Sequence, residues 1–280
     1  MIWKPVYIKE QIRIDSFYSF FVATREKDFN FTGETHNFWE ILYVIKGNVG
    51  VSADDLVYEL SQGDIIFHKP MEMHKFYILG SKATTLTASF DMQGALCDYF
   101  KDKVFRLSHE QQGIIKKLIS FANMNSYAND TLDDNMTDIL SYAKNNSLYL
   151  NKISTYLHEL FLSLGEKGTI SDISTATDAL VFKNAVNYMN ENIYNNPKVS
   201  EIAKHCFLSE SGLKRLFTKY AGLSIHRYFL KLKFKAAIEL LSNGISVSEV
   251  AQMLNFSSQS YFSTSFKKEY GVSPTEYSDG

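Results

Sequence analysis

Cysteine is almost absent from this 280-residue chain. Cys97 and Cys206 are the only two, far apart and without a CxxC or Cys/His ligand spacing, which excludes a disulfide framework and a structural zinc site. No apolar run approaches the ~18–20 residues of a membrane span, and Met1–Glu10 lacks the apolar centre of a signal peptide. A cytoplasmic protein with no membrane partner is therefore expected. Arginine is scarce, at five residues, and the net charge is only −2, which argues against a protein that coats nucleic acid over its whole surface.

Hydrophobic residues make up 45% and charged residues 21%, a globular composition. The length suits two domains. Near-neutrality is an average over them. Cut at Ala176, the first part has 17 Lys+Arg against 22 Asp+Glu, and the remainder 12 against 9. Within Lys204–Lys235 eight basic residues face a single acid, Glu210. That asymmetry points to an anionic partner for the second part.

The segments Ile12–Phe21, Phe38–Ile45, Gly63–Phe67, Lys75–Leu79 and Thr84–Phe90 are short and rich in β-branched and aromatic residues. They read as strands separated by turns at Gly47-Asn48, Asp54-Asp55, Gly63-Asp64, Pro70 and Gly80-Ser81, hence a sandwich or small barrel. Ser108–Met124 and Leu148–Leu164 carry apolar residues at helical spacing, with a polar stretch, Asn123–Asn135, between them. Residues 165–177 are small and polar and read as a linker. From Asp178 onward the pattern is helical.

This last part contains a repeat. Ser200-Glu-Ile-Ala matches Ser248-Glu-Val-Ala, and after a short turn Ser209…Gly222 matches Ser258…Gly271. Each half reads as two helices crossing at a small residue, Ala203 or Ala251. Ser209 and Ser258 are suited to cap the second helix, Leu213/Phe217 and Phe262/Phe266 to form its buried stripe, and Gly222 and Gly271 to end it. A helix over Ser224–Ser242 would span about 28 Å, near the ~34 Å between successive major-groove faces of DNA. The exposed positions of the two second helices are Ser211, Lys214, Arg215 and Lys219, then Gln259, Ser260, Ser263, Thr264 and Lys267. Their side chains suit phosphates and base edges.

The run Val250-Ala251…Asn255-Phe256-Ser-Ser-Gln-Ser-Tyr-Phe-Ser…Phe266-Lys-Lys-Glu-Tyr-Gly-Val-Ser-Pro-Thr-Glu-Tyr277, with Tyr228-Phe229…Ala236…Leu240-Leu241 before it, resembles the DNA-binding domain of the AraC/XylS family of bacterial transcription regulators. The resemblance covers about a hundred residues without gaps. It implies a double-stranded DNA partner, contact with RNA polymerase and an activator's role. Three positions depart from the family pattern: Asn255 and Phe207, where glycine is common in the turn, and Thr264, where arginine is usual. Arg215 is then the residue placed for a bidentate contact with guanine, and the first repeat is expected to anchor the protein.

In the first part, Glu34-Thr-His36-Asn-Phe38-Trp-Glu40…Gly47 and Gly63-Asp-Ile-Ile-Phe-His68…Pro70-Met-Glu-Met-His74 resemble the two cupin motifs. Strand alternation puts Glu34, His36, Phe38, Glu40, Leu42 and Val44 on one face, and His74, Phe76 and Ile78 on another strand's face. An effector pocket of His36, Phe38, Glu40, His74 and Phe76, without cofactor, is expected. Glu34, His36, Glu40 and His74 are the alternative as a metal set for Mn, Fe or Zn, and hydrogen bonding at strand ends is the third reading. His68 falls between a surface and a site position. The resemblance also offers the helices after the barrel for a homodimer, through Leu150, Ile153, Leu157 and Phe161, whose other reading is intramolecular core.

The expectation is thus an α+β protein: a cupin-like β-barrel with dimerisation-type helices over 1–164, a linker over 165–177, and over 178–280 an all-α DNA-binding domain with two helix-turn-helix motifs joined by a long helix. It is read as a transcription regulator controlled by a small-molecule effector, and not as an enzyme. The alternatives are a regulator without effector, or a metal-dependent cupin enzyme with a helical accessory domain.

Overall fold

The computed structural model describes residues 4–29, 31–125, 146–171 and 176–278. The chain divides into two compact units, Met1–Ser174 and Thr175–Gly280. The polar stretch 126–135 lies outside the described residues.

The first unit is built on a seven-stranded sheet of β1 (Arg13–Glu26), β2 (Trp39–Ala53), β3 (Leu56–Ser61), β4 (Asp64–His68), β5 (His74–Gln93), β6 (Val104–Arg106) and β7 (Thr169–Ser171). Its order is β1-β5-β2-β4-β6-β7, with β3 also on β2. Two long antiparallel strands, β2 and β5, form the spine, in register from Trp39↔Phe90 to Ala53↔His74. The expected barrel is not closed by hydrogen bonds, since β1 and β7 end the path unpaired with one another.

Two expected turns are bends inside continuous strands. Gly47-Asn48 lies within β2 and Gly80-Ser81 within β5, so Lys75–Leu79 and Thr84–Phe90 are one strand. The ladder shifts register between Val44 and Asn48, as a bulge does. Gly47 takes φ +84°, and a Cβ there would lie 2.6 Å from the Lys82 carbonyl oxygen. Only glycine fits this bend.

Alternation along β2 separates two cores. Leu42 and Val44, with Val49, Val51, Leu60, Ile66 and Ile78, face the concave side. Trp39, Ile41 and Tyr43 face the other side with Ile65, Phe67 and Phe90, where α1 (Leu96–Phe100), α2 (His109–Asn125) and α3 (Ser147–Lys167) cover the sheet. Ile153, Leu157 and Phe161 are 0–1% exposed there, and the Phe161 ring lies 5.0 Å from Phe67 and 5.7 Å from Phe90. Leu150 is partly buried against the same cluster. These residues, offered as a dimer interface, are instead core of their own unit, because the sheet's second face needs an apolar cover. Of the 165–177 stretch, Gly165–Lys167 complete α3 and Thr169–Ser171 add β7 to β6; residues 172–175 lie outside the described residues.

The second unit is helical: α4 (Thr177–Glu191), α5 (Val199–His205), α6 (Glu210–Tyr220), α7 (Ile225–Ser242), α8 (Val247–Met253), α9 (Gln259–Tyr270) and α10 (Pro274–Ser278). The spine is α7, which serves two aromatic cores. Tyr228 packs on Phe182 and Phe217 of the first half. Phe234 packs on Phe256, Phe262, Phe266 and Tyr270 of the second. Each fully buried aromatic contributes about 1.5–3 kcal/mol of transfer free energy. Among the described residues, no helix is long and apolar enough to cross a membrane.

Candidate nucleic-acid interface and ligand cavity

The two halves of the helical unit are built by the same local chemistry. The Ser209 hydroxyl accepts from the Gly212 amide, and the Ser258 hydroxyl from the Tyr261 amide, each at 3.1 Å. Leu213, Phe217, Phe262 and Phe266 are all fully buried, and Gly222 and Gly271 follow with φ +67° and +78°. Ala203 and Ala251 are buried at the crossings. The turns between helices hold φ +56° at Phe207 and +52° at Asn255. Both positions thus adopt the left-handed geometry that glycine takes at no cost. Phe207 does so with its side chain 95% exposed.

Burying those stripes turns the opposite faces outward. On α6, Ser211, Lys214 and Arg215 are exposed, and among the described residues neither base has an ion-pair partner. Lys219 is also exposed but is held by the Asp178 carboxylate at 2.5 Å and lies 4.6 Å from the Tyr220 ring centre. Its charge is therefore partly spent within the unit. On α9, Gln259, Ser260, Thr264 and Lys267 are exposed and Ser263 is half-buried. Here the only cation of the expected set is Lys267.

In the sheet unit a cavity of about 340 Å³ opens on the concave side, lined by Tyr18, Ser19, Phe21, Arg25, Phe29, Phe31, Glu34, His36, Phe38, Glu40, Phe76, Thr87 and Ser89. Glu34–Phe38 is not strand, as alternation suggested; Glu34 forms an isolated bridge to His74, and β2 begins at Trp39. The four expected residues His36, Phe38, Glu40 and Phe76 nevertheless line the cavity, and His74 lies behind them, 2% exposed. Stacked rings of Tyr18, Phe38 and His36 form one wall, at 4.0 and 3.9 Å between centres. Phe29, Phe31 and Phe76 form another.

Glu40 is oriented by Ser89, whose hydroxyl donates at 2.7 Å, and Ser89 is in turn 2.7 Å from Ser19. The sheet register explains this row, since Glu40 pairs with Ser89 and Ser89 with Ser19. Sequence reasoning missed Tyr18, Ser19, Phe21 and Arg25 of β1 and Thr87 and Ser89 of β5 because register between distant strands has no local signal. Its only trace is the polar alternation Thr85, Thr87, Ser89 around the apolar Leu86, Ala88 and Phe90.

The floor is electrostatically coupled. Burial alone would depress the His74 imidazolium, but Glu34 and Glu40 outweigh it and push its pKa up to about 10. His74 in turn lowers the Glu34 carboxyl, and does the same for Glu40 against the opposing effect of burial. Burial and His74 lower His36. Behind the floor His68 is 1% exposed, so it is neither a surface residue nor a cavity wall. Its Nδ1 is 2.6 Å from Glu72, whose carboxyl burial pushes up to about 8.

Known proteins agree with both halves. Residues 16–105 match the family model of the AraC-like ligand binding domain, and residues 202–280 a helix-turn-helix domain. The chain is 36% identical over 92 residues to the probable transcriptional regulator LumQ of Photobacterium leiognathi, covering 32% of this chain and 37% of that protein. It is 23% identical over 259 residues to the Msm operon regulatory protein of Streptococcus mutans, covering 90% of this chain and 88% of that one. Among solved structures, unsaturated fatty acid bound ToxT from Vibrio cholerae aligns over 95% of this chain and 96% of that one, at 14% identity and a TM-score of 0.38. The chain belongs to the AraC family of transcription regulators, with a ligand-binding module followed by a DNA-binding pair of helix-turn-helix motifs.

Proposed function

We propose that an amphipathic effector with an apolar, flat body enters the 340 Å³ cavity and thereby changes how the two helix-turn-helix motifs engage an operator. The observation that carries the reading is the joint presence of an aromatic-walled cavity with a polar floor in one unit and a duplicated recognition surface in the other. Phe38 and Phe76 are its apolar contacts, and His36 and Glu40 its polar ones, with His74 holding the floor in place from behind. The effector acts only to the extent that it binds one arrangement of the protein better than the other.

Ser211, Lys214 and Arg215 of α6 form the principal DNA contact, with Lys219 at its edge. Gln259, Ser260, Ser263, Thr264 and Lys267 of α9 supply a second, weaker one. The protein acts as a cytoplasmic activator that recruits RNA polymerase, and it catalyses no reaction. A homodimer, where it forms, uses surface other than the buried face of α3; Leu148 and Leu162, 80% and 43% exposed, are the apolar residues α3 leaves outside.

Two measurements test this. Selection of bound sequences from a random DNA pool is expected to return a site with two elements one helical turn apart. A thermal-shift screen with amphipathic carboxylates, sugars and aromatic amines is expected to give hits that Phe38→Ala abolishes. A pool that shows no sequence enrichment overturns the DNA reading, and hits insensitive to Phe38→Ala overturn the cavity assignment.

A further inference from the structure

We infer that the helical unit holds a ligand site of its own, a groove along the first half of α7 that takes an amphipathic organic carboxylate. The groove has a volume of about 560 Å³, within the ~300–1,000 Å³ of small-molecule sites. Its lining comes from residues 196–199 at the start of α5, from α7 between His226 and Lys233, and from the turn 255–257 with Tyr261 of α9. Both helix-turn-helix motifs thus contribute to it, and no part of it belongs to the sheet unit's cavity.

The residue that points to an anion is Lys233. It lines the groove, yet it is 3% exposed, and among the described residues no carboxylate pairs with it. Lys231, on the same helix, has Glu269 as its ion-pair partner. Buried charges are ordinarily paired. Lys233 Nζ instead donates to two neutral oxygens, the Leu254 carbonyl at 2.7 Å and Asn196 Oδ1, and lies 5.2 Å from the ring centres of Phe229 and Phe256. An ammonium has three donors, so one is left for a ligand. Burial with no opposing negative charge brings its pKa down to about 8. A carboxylate entering the groove supplies the missing counter-charge.

The rest of the lining sets the chemical class. No Asp or Glu borders the groove, whereas Lys198 and His226 do, so nothing there repels an anion. Val199, Leu230, Phe256 and Tyr261 add apolar and aromatic walls, which suit the flat body of an organic acid and offer little to the polar backbone of DNA. One buried ammonium matches one negative charge, hence a carboxylate rather than a phosphate monoester, which carries nearly two. The site also bears on how the second motif is held. Lys233 binds the Leu254 carbonyl of its turn, and Asn196 Nδ2 donates to the Asn255 carbonyl at 2.8 Å.

The test is amide chemical-shift mapping of the full chain, titrated with naphthoate, with its neutral counterpart naphthamide and with inorganic phosphate. The expected result is saturable shifts at residues 196–199, 229–233 and 255–261 with naphthoate, and far weaker ones with naphthamide. Lys233→Met is expected to weaken naphthoate binding by about 10–100-fold, the factor carried by a charge-assisted hydrogen bond. Tyr261→Ala, at a position 43% exposed and outside the core, is expected to weaken it by about 2–10-fold, and it keeps the test decisive if loss of Lys233 unsettles the fold. No shifts with naphthoate, shifts confined to the sheet unit, equal binding of the amide, or binding that both variants retain unchanged would each overturn the inference. Shifts at the groove with phosphate but not with naphthoate overturn it as well, and give the groove to the DNA backbone.

Discussion

Phe207 occupies the turn of the first helix-turn-helix at φ +56°, with 95% of its surface exposed. Replacing it by glycine separates backbone strain from side-chain contact with unusual clarity. A residue with a Cβ pays roughly 1–2 kcal/mol in the left-handed region. Glycine removes that cost, but its freer unfolded chain returns about 0.4–1 kcal/mol. No burial is lost, since the ring already faces solvent. Phe207→Gly is therefore expected to stabilise the helical unit by about 0.5–1 kcal/mol, a rise of roughly 2–6 °C for a unit of this size. Phe207→Ala keeps the Cβ and the strain, so it is expected to stay within about 0.5 kcal/mol of the parent. Asn255→Gly, at φ +52°, is expected to gain less than Phe207→Gly because asparagine visits this region more readily. Calorimetry of the full chain reads all three as shifts of the helical unit's transition. A neutral or destabilising Phe207→Gly, or an equal gain from alanine, refutes the strain argument.

On DNA, Arg215→Ala is expected to cost about 1–3 kcal/mol of specific binding and Thr264→Ala under about 1 kcal/mol, measured by fluorescence anisotropy against a selected site; equal losses would reverse the ranking of the two motifs. The logarithm of affinity should fall linearly with that of salt concentration, by about 0.9 per phosphate contacted, and Lys214→Ala should make this slope shallower. Phe161→Ala is expected to destabilise the sheet unit by about 3–5 kcal/mol in urea unfolding, and a change confined to sedimentation behaviour would contradict its place in the core. Lys233 is 3% exposed, bonded to Asn196 and the Leu254 carbonyl, and burial lowers its pKa from 10.5 to about 8. Between those values the unfolded chain binds more protons than the folded one, so this lysine makes the helical unit more stable as pH rises through that window. Cys206 and Tyr270, both raised by burial, act oppositely near its top; the measurable quantity is thus the unfolding free energy of the parent minus that of Lys233→Met, which should increase as pH rises through the window.

Much of the recognition surface was legible because it rests on contacts a few residues apart. Caps at Ser209 and Ser258, buried pairs at i, i+4 and left-handed turns are properties of one or two helical turns, and the structure has all of them. Lys219 escaped this reading because its partner, Asp178, lies 41 residues earlier. The cavity was half legible. His36, Phe38 and Glu40 share a local pattern, whereas Ser89, Phe21 and Phe29 join them only through the pairing of β1, β5 and β2. The strand breaks expected at Gly47 and Gly80 failed for a related reason. Glycine marks a bend equally in a turn and in a long strand, and only its ladder partners decide between them.

By itself, then, the sequence determined the division into two parts and the capped, amphipathic helices of the second, because capping, helical periodicity and charge segregation are local and survive without neighbours; the family followed from the resemblance of its motifs. The tertiary structure decided three further matters. It buried Ile153, Leu157 and Phe161 inside one unit, left the barrel open between β1 and β7, and brought two imidazoles and two carboxylates to one point. Each depends on which distant segments share a face, a choice made by packing over the whole unit rather than by any stretch of chain.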